Sequence, residues 1–185
     1  HARRIHLTAM PQCRMLQPVR YILDAVFVSL ANVKGRTISA MAHILLGVTG
    51  SIAAFKACHL ASDWSKQGHE VRVAMTAAAQ EFVTPLTFSS LTHTQTRTSM
   101  FAAQRNDGDV AHTPSDPLHI NHVDDAKWAD MLVIAPASAD IIAKIACGIA
   151  DDQLTSTVLA YSEGPKILCP AMNVHMYENA VTQRN

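Results

Sequence analysis

From residue 41 onward the sequence alternates short apolar runs with stretches of helical spacing, and this alternation limits the possible folds more than any other feature. His43-Ile-Leu-Leu-Gly-Val48 and Met131 to Ala135 are short apolar runs, while Val71, Val73 and Met75 alternate with other residues. Runs of this length bounded by turn residues read as strands, and parallel strands covered on both faces are apolar throughout. Strands are therefore expected at 43–48, 71–75, 131–135 and 166–169. Helices are expected at 52–67, 77–83, 85–91, 119–128, 139–147, 151–161 and 172–183. Gly68 and Gly148 stop two of them, Thr76 and Asp151 cap two, and Pro85 opens another. Residues 99–118, with Pro114 and Pro117, read as a loop. Repeated strand-then-helix units predict an α/β fold with a doubly wound, mostly parallel sheet and helices on both faces. Trp64 and Trp128 are expected in or near the core, as are Met172 and Met176 from their helical spacing. Lys144 and Lys166 are expected to be solvated.

Charge divides the chain. Residues 1–40 hold six basic residues and one acid, Asp24, whereas the remainder holds nine basic and fourteen acidic residues. The first segment is Arg-rich and acid-poor, as a targeting peptide is, but it lacks an amphipathic face. We read residues 1–40 as a leader outside the fold, upstream of a start at Met41, and 41–185 as the domain. The overall formal charge of +0 gives no electrostatic case for nucleic acid or an anionic membrane. The leader's longest apolar stretch, Tyr21 to Val33, contains Asp24 and Asn32 and is too short to span a bilayer. The four cysteines form no C-x-x-C pair, so free thiols in a reducing, cytoplasmic setting are expected.

In an open parallel sheet, ligands bind outside the carboxyl ends of the strands. That directs attention to three turns, Thr49–Ser51, Pro136–Asp140 and Pro170–Asn173, each directly after a strand. In the first, Gly50 allows close backbone approach, and Ser51 with the amides opening the next helix could hold a phosphate. This turn has neither the G-x-G-x-x-G spacing nor the Gly-Lys-Ser/Thr of a P-loop. Ser138 or Asp140 in the second turn and Asn173 in the third could equally be ordinary helix caps. Asp109, His112, Asp116, His119 and His122 are irregularly spaced and interrupted by two prolines, so no metal is expected.

Read together, the motifs resemble a family. Gly47-Val-Thr-Gly-Ser-Ile-Ala-Ala-Phe-Lys56, then Lys127-Trp-Ala-Asp130 with Ile134-Ala-Pro-Ala-Ser-Ala-Asp140, then Pro170-Ala-Met-Asn-Val-His-Met-Tyr177 resemble the homo-oligomeric flavin-containing cysteine decarboxylases. The resemblance covers about residues 42–185 and is strongest to the coenzyme A branch, including its ligase-fused version. It implies a flavodoxin-like or Rossmann-like flavoprotein that binds FMN. It places the catalytic histidine at His122, eight residues before Asp130, and substrate contacts at Asn173 and Met176. Its flavin contacts fall on Gly50, Ser51, Ile52, Thr76, Ser138, Ala139, Asp140 and Ala171. The implied reaction is decarboxylation of 4′-phosphopantothenoylcysteine to 4′-phosphopantetheine, a small-molecule substrate handled by trimers or by four trimers together.

The sequence also departs from the family pattern. Many members carry Asn at the position of Asp140, and Leu is common at that of Asp125. The coenzyme A branch has a later cysteine on a covering segment, which none of the four cysteines here matches, so a missing C-terminal segment is expected. Two other functions fit the same motifs: decarboxylation of a peptidyl cysteine in lantibiotic maturation, and a flavin-binding regulatory subunit without catalysis. The pairing of His122 with Asn173 and the absence of long acidic tails favour an enzyme.

Overall fold

A computed structural model describes residues 41–100, 121–162 and 164–185 of the chain. Four strands, β1 (His43–Val48), β2 (Glu70–Met75), β3 (Met131–Ala137) and β4 (Lys166–Pro170), form one sheet in the order β2-β1-β3-β4. All three pairings are parallel, with Leu46 of β1 opposite Val73 on one side and Val133 on the other. The described helices are α1 (Ala54–Lys66), α2 (Ala77–Gln80), α3 (Pro85–Thr92), α4 (Asn121–Trp128), α5 (Ala139–Cys147), α6 (Gln153–Ala160), α7 (Val174–Tyr177) and α8 (Ala180–Arg184).

The strands are apolar because both faces are covered. Ile44, Leu46, Val48, Val73 and Val133 pack with Leu60 and Trp64 of α1, Ala79 of α2 and Phe88 of α3. Leu45, Ala74, Leu132 and Ile134 pack on the opposite side with Ala126 of α4, Ile141 of α5, and Leu154 and Val158 of α6. The expected doubly wound architecture is thus present. The chain leaves β1 for β2 on one side and later returns to β3 on the other. The reversal opens a crevice at the carboxyl ends of β1 and β3, where the first two candidate turns lie.

Local details both follow and correct the sequence reading. Gly68 and Gly148 take φ of 87° and 68° just beyond α1 and α5, where a side chain would be strained. Helix α1 begins at Ala54 rather than at 52, and Ile52 and Phe55 are exposed. Asp152, not Asp151, caps α6: its carboxylate accepts from the Thr155 amide at 2.7 Å, within a reciprocal capping box. The helix expected over 172–183 divides into α7 and α8, because Asn173 and Asn179 each accept a backbone amide and each open a helix. Met172 is half-buried and Met176 exposed, so neither is a core residue. Trp64 lies in the core, while Trp128 packs at its margin.

Neither lysine expected to be solvated lacks a partner. Lys144 pairs with Asp151 at 2.9 Å and with Asp140 at 3.5 Å. The hydrogen bond raises the lysine's pKa and lowers that of Asp151. Lys166 donates to the Val158 carbonyl at 2.9 Å, and burial lowers its pKa.

Candidate active site

The post-strand turns form a single structure. Thr49, at the end of β1, is 1% exposed. Its hydroxyl donates to the Pro136 carbonyl at 2.6 Å and accepts from the Ser138 amide at 3.0 Å, joining the first turn to the second. The Ala171 amide donates to the Ala137 carbonyl at 3.0 Å and joins the third turn to the second. The Thr76 amide donates to the Val48 carbonyl at 3.1 Å, bringing in the turn after β2. Gly50 completes the cluster, since a Cβ there would stand 2.6 Å from the Ala78 Cβ. The glycine is therefore required for close approach of two turns. Gly50, Ser51, Ile52, Thr76, Ser138, Ala139, Asp140 and Ala171 all lie on these turns or at the helix starts beside them. Thr49 opens the first candidate turn, but the sequence reading gave its side chain no role. Its signal was its place inside Gly47-Val-Thr-Gly50, where a buried hydroxyl must find partners.

Several of these groups are already engaged. Ser138 accepts from the Ile141 amide at 3.3 Å and caps α5, and Thr76 caps α2 in the same way. Ser51 accepts from the Ala53 amide at 3.3 Å, which leaves its hydroxyl proton to donate elsewhere. Helix α1 has no side-chain cap and no acidic residue in its first turn. Asp140 lies in the first turn of α5, with its carboxylate near Lys144.

His122 and Asn173 stand on separate elements. His122 is on the first turn of α4, half-buried, with its Nδ1 buried and no protein hydrogen-bond partner among the described residues. Asn173 lies on the exposed turn after β4, the edge strand, and its Oδ1 accepts from the His175 amide at 2.9 Å. That bond turns the amide NH2 outward as a donor. Met176 is 51% exposed on α7 beside it.

A second cluster lies under α4. Asp125 is 0% exposed and accepts from Arg72 Nη1 at 2.9 Å, while Arg97 Nε stands 3.5 Å from its other oxygen. The Arg72 guanidinium lies over the Trp128 ring at 4.0 Å, and His43 stacks on the same ring at 4.7 Å. Arg72 was the legible clue, because a charge in a strand covered on both faces needs a buried partner. Among the described residues no group of three His, Cys, Asp or Glu side chains could hold a metal. Asp109, His112, Asp116 and His119, like the leader and most of the 99–118 loop, lie outside the described residues. Cys58, Cys147 and Cys169 are free thiols, and burial pushes Cys169 up to about 12.

These turns gather at the switch point of a parallel sheet, the place where open α/β folds bind their ligands. The chain belongs to the Flavoprotein family, whose pattern matches residues 34–185, and the cofactor class is accordingly a flavin. It is 44% identical over 143 residues to the "Coenzyme A biosynthesis bifunctional protein CoaBC" of Bacillus subtilis, a match covering 77% of this chain and 32% of that protein. It is 43% identical over 143 residues to the "Probable phosphopantothenoylcysteine decarboxylase" of Streptococcus mutans, covering 77% of this chain and 74% of that one. The chain thus spans about a third of the bifunctional relative's length and most of the single-function one. Among solved structures it is similar to the FMN-dependent cysteine decarboxylase SpaF, with a TM-score of 0.65 and 34% identity, covering 79% of this chain and 77% of that one.

Proposed function

We propose that this domain binds FMN and decarboxylates 4′-phosphopantothenoylcysteine on the route to 4′-phosphopantetheine. The observation that carries the reading is the Thr49 bridge, which unites the first two motif-bearing turns at the carboxyl ends of β1 and β3. The site's chemistry fits FMN. Ser51 keeps a donor, and the start of α1, with no side-chain cap, presents the positive end of a helix to a phosphate. Gly50 lets two of the turns close on each other, small residues at Ala139 and Ala171 leave room for a flat ring, and exposed Ile52 offers it an apolar surface. Thr76, Ser138 and Asp140 complete the cofactor contacts. Bound FMN supplies an electron-pair acceptor, without which loss of CO2 from a cysteine carboxylate would leave an unstabilised carbanion.

The chain's own groups have defined tasks in this reading. His122, half-buried and with no protein hydrogen-bond partner at Nδ1 among the described residues, supplies the base or orienting group for the substrate. Asn173 donates from its amide nitrogen to the substrate carboxylate while its oxygen stays on the His175 amide. Met176 lies against the substrate from α7. Cys169, held protonated by burial, is not the acid–base group. The identity to relatives named for coenzyme A biosynthesis and phosphopantothenoylcysteine decarboxylation, 44% and 43%, favours this substrate over a peptide.

The reading extends to assembly and domain limits. The domain works as a homotrimer or an assembly of trimers, supported by the apolar exposure of Ile52, Phe55 and Leu86. Residues 1–40 lie outside the working unit, supported by β1 beginning at His43. The reaction is placed in the cytoplasm, in keeping with the free thiols of Cys58, Cys147 and Cys169. Incubating FMN-loaded protein with 4′-phosphopantothenoylcysteine and measuring CO2 tests the function. A loaded, folded protein that releases none would overturn it.

A further inference from the structure

We propose that a cavity beside α4, lined by Arg72, Arg97, Lys127 and Trp128, binds a phosphate monoester group. Resting on the function proposed above, this cavity takes the phosphate end of the substrate. It is an open cleft of about 490 Å³, and Asn121 and Asp124 complete its wall.

One carboxylate cannot satisfy the donors of two arginines. Each guanidinium carries five N–H groups in a rigid fork suited to carboxylate or phosphate. Asp125 takes one donor from Arg72 at 2.9 Å, and at 3.5 Å Arg97 Nε makes no hydrogen bond to it. The remaining guanidinium groups belong to side chains that line the cavity. Buried Asp125 therefore acts as an organiser: it brings two cations together and leaves most of their donors for a ligand. A phosphate uses such paired forks through several charge-assisted hydrogen bonds at once.

The walls are also held before any ligand arrives. The Arg97 backbone pairs with β2 through Val73 and Met75, each at 2.8 Å. Arg72 is held on one face of Trp128, and His43 stacks on that same ring. Binding then orders few additional side chains, which lowers its entropic cost. Charge favours an anion: three cations against Asp124 and Asp125 leave one net positive charge at the cavity. Asn121, Asp124, Lys127 and Trp128 all lie on α4, the helix that also carries His122, so the cavity and the proposed reacting group share one element.

Two measurements on the FMN-loaded full chain test this. The first titrates inorganic phosphate at constant ionic strength and reads Trp128 emission, with Trp128→Phe identifying the signal. Saturable binding is expected, weakened at least about tenfold in Arg97→Gln and in the more exposed Lys127→Gln. The second compares kcat/KM for phosphorylated and unphosphorylated pantothenoylcysteine. Their ratio should fall at least about tenfold in both variants. Phosphate binding with no turnover of either substrate would support the anion site while removing the decarboxylase reading. No saturable phosphate response in the wild-type protein, or unchanged affinity and ratio in Lys127→Gln, would overturn the inference.

Discussion

Replacing Asp125 with leucine, the residue common at this position in the family the motifs resemble, should destabilise the domain although it makes the core more apolar. The carboxylate is 0% exposed and stands against two guanidiniums. Removing one member of a buried ion pair generally costs about 3–5 kcal/mol, because the other is left uncompensated. Here Arg72 and Arg97 keep 29% and 26% of their side-chain surface. Both can turn partly toward water, and Arg72 retains the Trp128 face, so about 2–3 kcal/mol is expected. For a chain of this size that lowers Tm by about 4–12 °C. Urea unfolding followed by tryptophan emission measures the loss, since Trp64 sits in the core and Trp128 touches Arg72. Arg72→Met combined with Asp125→Leu should recover part of the stability, because one stranded cation is gone and the pair's energies do not add. A leucine variant as stable as the wild type would refute the claim that this carboxylate compensates the arginines.

Other positions give independent outcomes. Gly50→Val should cost about 1–3 kcal/mol and release flavin, because its side chain would displace Ala78; melting and flavin absorbance check both. His122→Asn should retain flavin but lower CO2 release by about 10²–10⁴-fold, measured against a wild-type control of equal flavin content. With iodoacetamide near pH 8, exposed Cys147 should be alkylated well before Cys169; peptide mass mapping gives the order. The sign follows from the thiolate being the nucleophile, whereas Cys169 stays protonated until about 12.

The parts of the fold legible in the sequence were those fixed by local chemistry. Doubly covered strands such as Met131 to Ala137 must be apolar, and Gly148 must follow a helix at positive φ. The candidate turns were legible for the same reason, since a parallel sheet directs its functional loops to one end. Partnerships across long stretches of chain were not. Arg72 and Asp125 are 53 residues apart, and the Thr49 and Ser138 contact spans 89. Nothing in the local pattern of Lys144 or Lys166 announced their partners, which depend on how α5 and α6 pack. The final helix was misread because an asparagine inside an apparent helical period can be either a surface residue or a cap. At Asn179 the cap prevails.

In the function proposed here, the joined turns hold FMN for cysteine decarboxylation, and His122 and Asn173 act on the substrate. Anaerobic incubation of the FMN-loaded chain with carboxyl-labelled 4′-phosphopantothenoylcysteine tests it most directly. At least about one labelled CO2 per bound flavin is expected, since each oxidised flavin accepts one electron pair. A folded chain with a full complement of FMN that releases no labelled CO2 would contradict the account.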